Sequence, residues 1–181
     1  MFTWQKILCF LITMSILLYI SPVFSQEPST PTETVQAFLD LLSGGDLTAY
    51  KYWDLEGECQ FIFGTFYSAL SSAEQKRLQE AIVSANEPYL GDIMELLKDK
   101  NYEFLSERQV GKDNAEVELW VTAGAGKIYY LYLLHQSDEG WKIYRGLVNG
   151  SDLDVMMRIT FLNEWQGLSL DEIIKKFHPE Q

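Results

Sequence analysis

The sequence predicts an α+β domain in which helices flank an antiparallel sheet built from consecutive strands. Three observations carry this. Apolar residues recur at helical spacing from Pro31 to Leu97 and again beyond Asp152. Between Tyr102 and Val148 the period drops to two. The segments of period two are separated only by short turn clusters, Gly111–Asn114, Gly124–Gly126 and Ser137–Gly140. Such turns suit hairpins and leave no room for the crossover helices of a parallel sheet.

Each helix carries its own start and stop. Thr30-Pro31-Thr32-Glu33 is a capping box with proline in the first turn. It opens a helix whose stripe is Val35, Phe38, Leu39 and Leu42, and Gly44-Gly45 ends it. Asp46 caps a short helix through Trp53. Cys59–Leu70 is predicted as one helix, with Ile62, Phe63, Phe66 and Leu70 at helical spacing and Phe61 and Tyr67 widening the stripe. Ser71-Ser-Ala-Glu74 is a second capping box, opening a helix that turns Leu78, Ile82 and Ala85 inward. Pro88 ends that helix, since the residue before a proline avoids the helical region. A further helix buries Leu90, Ile93, Met94 and Leu97.

Four strands follow. Tyr102–Glu107 alternates, and Val117, Leu119 and Val121 alternate with Glu116, Glu118 and Trp120, so that strand has one wet face. Ile128–Leu134 is apolar on both faces, with Tyr130, Tyr132 and Leu134 on one and Tyr129, Leu131 and Leu133 on the other. Such a strand is central and is expected to be covered twice. Trp141–Val148 is the fourth. Ser151 or Asp152 then caps a helix with Val155, Ile159, Leu162 and Trp165 on its apolar face, and Gly167 ends it. Ser169-Leu-Asp-Glu172 is a third capping box, for a final helix Leu170–Phe177.

The N-terminus reads differently. Ile7–Ile20 is a nearly unbroken apolar run after Lys6, closed by Ser21-Pro22 and followed by Val23-Phe24-Ser25. The run is shorter than the roughly 20 residues of a spanning helix. Residues 1–25 are therefore expected to be a secretory signal peptide cleaved near Ser25, leaving residues 26–181 as a single exported domain. No cysteine stands at the cleavage point, as a lipoprotein would require. Cys9 leaves with the leader, so Cys59 has no disulfide partner and is read as a small buried hydrophobe.

Charge excludes several functions. The whole chain has a formal net charge of −12, and −13 once the leader with its one lysine is gone. Nucleic-acid binding needs clustered cations and is not expected. The chain has no glycine-rich phosphate loop, no His-Glu-x-x-His and no paired cysteines. No metal, cofactor or catalytic residue is expected. Glu56 with Glu58, and Asp152 with Asp154, read as capping groups and a solvated face. An enzyme on this scaffold would have to use His135 with an acid such as Asp152.

The aromatic residues suggest a cavity. Trp53, Phe63, Phe66, Tyr67, Tyr89, Tyr130 and Tyr132 are spread over several helices and a strand, and large rings can wall a space as well as fill it. The aliphatic residues facing the same way are Leu70, Ile82, Ile93, Leu97, Leu119, Ile143, Val155 and Ile159. Together these are the candidate cavity residues. A charge introduced at Phe66 is expected to abolish ligand binding.

Gly64-Thr-Phe-Tyr67, Ser71-Ser-Ala-Glu74-Gln75, the helix running to Tyr89, Trp141-Lys-Ile-Tyr144, Gly150, Arg158 and Phe161 occur in an order that resembles the MlaC family. These are toluene-tolerance-type periplasmic phospholipid-binding proteins of bacteria with two membranes. The resemblance spans roughly Cys59–Phe177. It implies an NTF2-like curved sheet whose N-terminal and C-terminal helices form a lid over an apolar cavity for acyl chains. It also implies a phospholipid ligand carried between an outer-membrane lipoprotein complex and an inner-membrane ABC transporter, with no covalent chemistry. Where the family often has a serine two residues after the glycine, this chain has Asp152. The alternative is an NTF2-like structural or partner-binding module without lipid cargo.

Overall fold

Thr30 accepts a hydrogen bond from the Glu33 amide, and the Glu33 carboxylate takes the amides of Ser29 and Thr30. Helix α1 (Pro31–Ser43) thus begins where its capping box places it. The computed structural model describes residues 27–177, so the expected signal peptide and its cleavage point lie outside the described residues. Asp46 caps a 3₁₀ turn, Leu47–Tyr52, by accepting from the Thr48 amide at 2.8 Å. Trp53 then bridges to Ile143, and the Asp54 amide donates to the Ile143 carbonyl at 2.7 Å.

The helix expected over Cys59–Leu70 is two helices, α2 (Leu55–Phe63) and α3 (Thr65–Ala69). It starts earlier because the Asp54 carboxylate caps it, accepting from the Gly57 amide at 2.8 Å. It breaks because Gly64 takes φ 55°, ψ −126°, a conformation that only glycine adopts without strain. Helix α4 (Ser72–Ser84) starts at its capping box. A 3₁₀ turn, Glu87–Tyr89, carries Pro88 into α5 (Leu90–Leu97). Proline therefore separates two helices but also opens the second, where its missing N–H costs nothing.

The sheet is antiparallel throughout, in the order β1 (Tyr102–Gln109), β2 (Asn114–Ala123), β3 (Gly126–Ser137), β4 (Gly140–Val148), β5 (Ser151–Asp152). The register shifts between Phe104 and Ser106 and again between Leu133 and Leu134. The short strand β5 is an addition to the four expected. Asn149 and Gly150 both have positive φ, 50° and 79°, and connect Val148 to its partner Ser151. That is the two-residue hairpin for which Asn-Gly is suited.

Helix α6 (Leu153–Thr160) runs into a π-helical turn, Phe161–Trp165, and α7 (Leu170–Phe177) ends the described chain. Of the apolar face expected for α6 and the turn that follows it, only Trp165 is buried. Asp154, Phe161 and Trp165 are buried, whereas Val155, Ile159 and Leu162 stand in solvent. Arg158 holds this orientation by donating to the Phe61 carbonyl from within the helix layer. Two large rings, Phe161 and Trp165, bury more apolar area than Val155 and Ile159 would.

Burial divides into two cores. The first joins α1 to the sheet and includes Val35, Phe38, Leu39, Val117, Leu119, Leu134 and Ile143. The second is made by helices alone and includes Cys59, Ile62, Phe63, Tyr67, Leu78, Phe161, Trp165 and Ile173. The expectation that both faces of β3 are covered needs correction. Tyr132 and Leu134 are buried in the first core, but Tyr129, Leu131 and Leu133 are half-buried and belong to neither. Trp120 shields Tyr129 from the adjacent strand at a ring separation of 5.2 Å.

Candidate functional site

Between the two cores lies a cavity of about 370 Å³. Helix α1 contributes Phe38, Leu39 and Leu42, and α5 contributes Ile93, Leu96 and Leu97. The sheet contributes Val121, Tyr130, Tyr132, Gly146 and Val148. Ile62, Ile82, Met157 and Phe177 close it from the helical side. The volume is at the lower end of the ~300–1,000 Å³ typical of ligand pockets.

Aromatic rings organise one wall. Trp53 lies 5.5 Å from Phe38 and 6.3 Å from both Tyr50 and Tyr132 between ring centroids. Gly146 lets the indole lie against β4, because a Cβ there would stand 3.3 Å from the ring. Trp53 is held in place by its own backbone, through the bridge to Ile143.

Of the candidate cavity residues, Trp53, Ile82, Ile93, Leu97, Tyr130 and Tyr132 line this space. The others sit elsewhere. Phe63, Phe66, Tyr67 and Leu70 pack in the helical core, where Phe63 and Phe66 lie 5.1 Å and 5.8 Å from Phe161. The Tyr67 hydroxyl accepts from Gln79 at 2.6 Å. Leu119 and Ile143 are fully buried in the core under the sheet. Tyr89, Val155 and Ile159 are exposed. Phe66 does not line the cavity, so an aspartate there would disrupt the helical core rather than meet a ligand. The motif residues have structural posts: Gly150 makes the β4–β5 turn, Arg158 ties α6 to Phe61, and Phe161 fills the second core.

Lining residues outside the candidate set include two acids, Glu58 and Asp154, and apolar residues such as Phe38, Leu39, Leu42 and Met157. The Glu56–Glu58 spacing predicts a solvated pair, whereas Glu58 faces the cavity. Its place four residues before Ile62, on the apolar stripe of α2, is the signal that it faces inward. Burial pushes the Glu58 carboxyl up to about 8, with the neighbouring Asp154 adding to the effect. Burial likewise pushes Asp154 up to about 6, reinforced by Asp152 and opposed by Arg145. The Tyr50 hydroxyl, also desolvated, is pushed up to about 12.

These shifts set a pH dependence. Both carboxyls bind protons more tightly in the folded protein than at their ordinary values of 4.5 and 3.8. The folded state therefore holds extra protons between those values and the raised ones, and stability falls as pH rises through that interval. The ligand-free protein is expected to melt at a lower temperature at pH 8 than at pH 5, and Glu58→Gln is expected to flatten the slope. Thermal melts at several pH values check this; an unchanged slope in the variant would show that Glu58 is not the group responsible.

His135 and Asp152 do not come together. His135 Nε2 lies 3.3 Å from Asp54, and Asp152 pairs with Arg145 at 3.5 Å. Burial pushes the Cys59 thiol up, away from the thiolate a nucleophile needs. Among the described residues, no group of three or more His, Cys, Asp or Glu could hold a metal ion. Among them also, no helix is long and apolar enough to cross a membrane.

A five-stranded antiparallel sheet and flanking helices around a mainly apolar cavity make this a ligand-binding α+β domain. It belongs to the MlaC family: the family model described as MlaC protein matches residues 46–178. A solved structure of a phospholipid-binding protein from Ralstonia solanacearum, in complex with a phospholipid, shares the fold. Its TM-score is 0.65 at 17% sequence identity, with 82% of this chain and 92% of that chain covered. No curated protein sequence matches the chain.

Proposed function

We propose that this protein binds phospholipid and carries it through the periplasm, from an outer-membrane lipoprotein complex to an inner-membrane ABC transporter or the reverse. The observation that carries the reading is the cavity itself, walled by Phe38, Leu42, Ile93, Leu96, Tyr130 and Tyr132. An acyl chain placed there gains about 0.8 kcal/mol for each buried methylene, and the chain's solubility in transit follows from the same burial. Family membership and the phospholipid-bound neighbour support this choice of ligand over other apolar molecules. The strongly acidic chain is repelled by anionic bilayers, which favours loading at protein complexes over direct adsorption. Export fits the leader, with cleavage near Ser25.

Native mass spectrometry of residues 26–181, produced in a bacterial periplasm, tests the proposal. The expected spectrum shows a mass excess of one phospholipid, identified by solvent extraction. The outer face of α6 and of the π-helical turn after it, with Met156, Ile159 and Leu162 exposed, favours a second reading as a partner-binding module. A protein that stays lipid-free after incubation with liposomes would support that reading instead.

A further inference from the structure

Two carboxyls stand in a cavity wall that is otherwise mainly apolar. Glu58 reaches the cavity from α2 and Asp154 from the first turn of α6. Asp154 is 6% exposed, and its Oδ2 has no hydrogen-bond partner. The two are near enough for the charge of Asp154 to bear on Glu58. An acyl chain filling the cavity displaces water from such groups and offers them no donor in return. Burying a carboxylate without a partner is far more costly than burying the protonated acid.

The cations around the pair are already engaged. Arg145 on β4 lies 3.5 Å from Asp152 and 4.0 Å from Asp154, and its guanidinium sits 4.2 Å from the Phe61 ring centre. Arg158 on α6 donates to the Phe61 carbonyl. Lys142 of β4 holds Glu139, and Lys76 and Arg77 of α4 pair in solvent with Glu80 and Asp171. His135 of β3 faces Asp54 at 3.3 Å and packs on Tyr144. The other titratable neighbours add negative charge or none. They are Asp54 and Glu56 at the start of α2, Asp152 on β5, the Tyr50 and Tyr67 hydroxyls and the Cys59 thiol. Glu164 of the π-helical turn and Lys175 and Lys176 of α7 are exposed.

We propose that lipid binding is coupled to protonation of Glu58 and Asp154, so that the cavity accepts acyl chains while both carboxyls are neutral and releases them when the carboxyls ionise. The inference rests on the lipid-carrier reading above and adds a means of regulation to it. In the ligand-free protein burial holds Glu58 up to about 8 and Asp154 up to about 6. A bound chain removes more water and raises both further. Affinity is therefore full below the ligand-free values and falls as pH rises through them. Acid favours loading and alkali favours release.

The test offers the protein phosphatidylcholine vesicles, whose headgroup does not titrate near neutrality, at pH 6 and pH 9 and at one ionic strength. The affinity expected at pH 9 is about tenfold weaker than at pH 6, because pH 9 stands about one unit above the Glu58 value. Binding at pH 8 is expected to take up protons from a weakly buffered solution. The double variant Glu58→Gln, Asp154→Asn is expected to take up lipid equally at both pH values, with circular dichroism confirming its fold and that of the wild type. Equal affinity of the wild type at both pH values would overturn the coupling and leave the carrier intact. A pH dependence that persists in the folded double variant would overturn the assignment to these residues. Absence of bound lipid at either pH would overturn both readings. The proton count on the wild type decides the coupling even if the double variant does not fold: lipid bound without proton uptake would overturn it.

Discussion

Ile93→Glu is expected to strip the protein of co-purifying phospholipid while leaving it folded. Ile93 lines the cavity from α5 and is only half-buried, so the native structure tolerates a longer polar side chain. A bound acyl chain does not tolerate it, because lipid would seal the new carboxylate away from water with no counter-charge. Desolvating an unpaired charge costs several kcal/mol, and ~3 kcal/mol already lowers affinity by more than a hundredfold. Tyr89→Glu, one turn earlier on a residue 62% exposed, is expected to change nothing. Lipid extraction with mass spectrometry checks both, alongside a thermal melt. Full lipid occupancy in folded Ile93→Glu would mean that the ligand does not use this wall.

Phe161→Ala is expected to lower stability by about 3–5 kcal/mol. The ring is 5% exposed and meets Phe63 edge-on at 5.1 Å and Phe66 at 5.8 Å, within a core that no strand supports. For a domain of this length each kcal/mol moves the melting temperature by roughly 2–4 °C, so a fall on the order of 10 °C is expected. Ile159→Ala, two residues away but 52% exposed, is expected to stay within about 0.5 kcal/mol of wild type. Denaturant titration separates the two. Equal effects would mean that α6 is rotated from the orientation described.

The contrast between Phe161 and Ile159 also shows where the sequence was legible. Capping boxes at Thr30, Ser71 and Ser169 announced their helices because the signal is local and chemical. Hairpin order was legible because short turns between alternating segments permit one topology. The β4–β5 hairpin at Asn149-Gly150 was not legible in the same way, because its partner strand is two residues long and shows no alternation. Along α6 and its π-helical turn two apolar faces compete, and only tertiary packing decides that Phe161 joins Trp165 in the core while Val155 and Ile159 do not. The division of apolar residues between core and cavity is less legible still. Phe63 and Trp53 are equally apolar, and their surroundings come from parts of the chain distant in sequence. Glu58 was misplaced for a related reason: charge argued for solvent, while its position on the stripe of Ile62 argued for the interior.

That division of the apolar residues has a mechanical consequence. A protein with one continuous core opens an internal space only by tearing its own packing. Here the ligand space is the seam between two bodies that each keep their own contacts, one anchored on the sheet and one made of helices alone. Parting them stretches the seam and leaves both interiors closed. A binding protein built this way is expected to widen around a large ligand by yielding at the few side chains that bridge the joint, which hydrogen exchange with and without lipid would check.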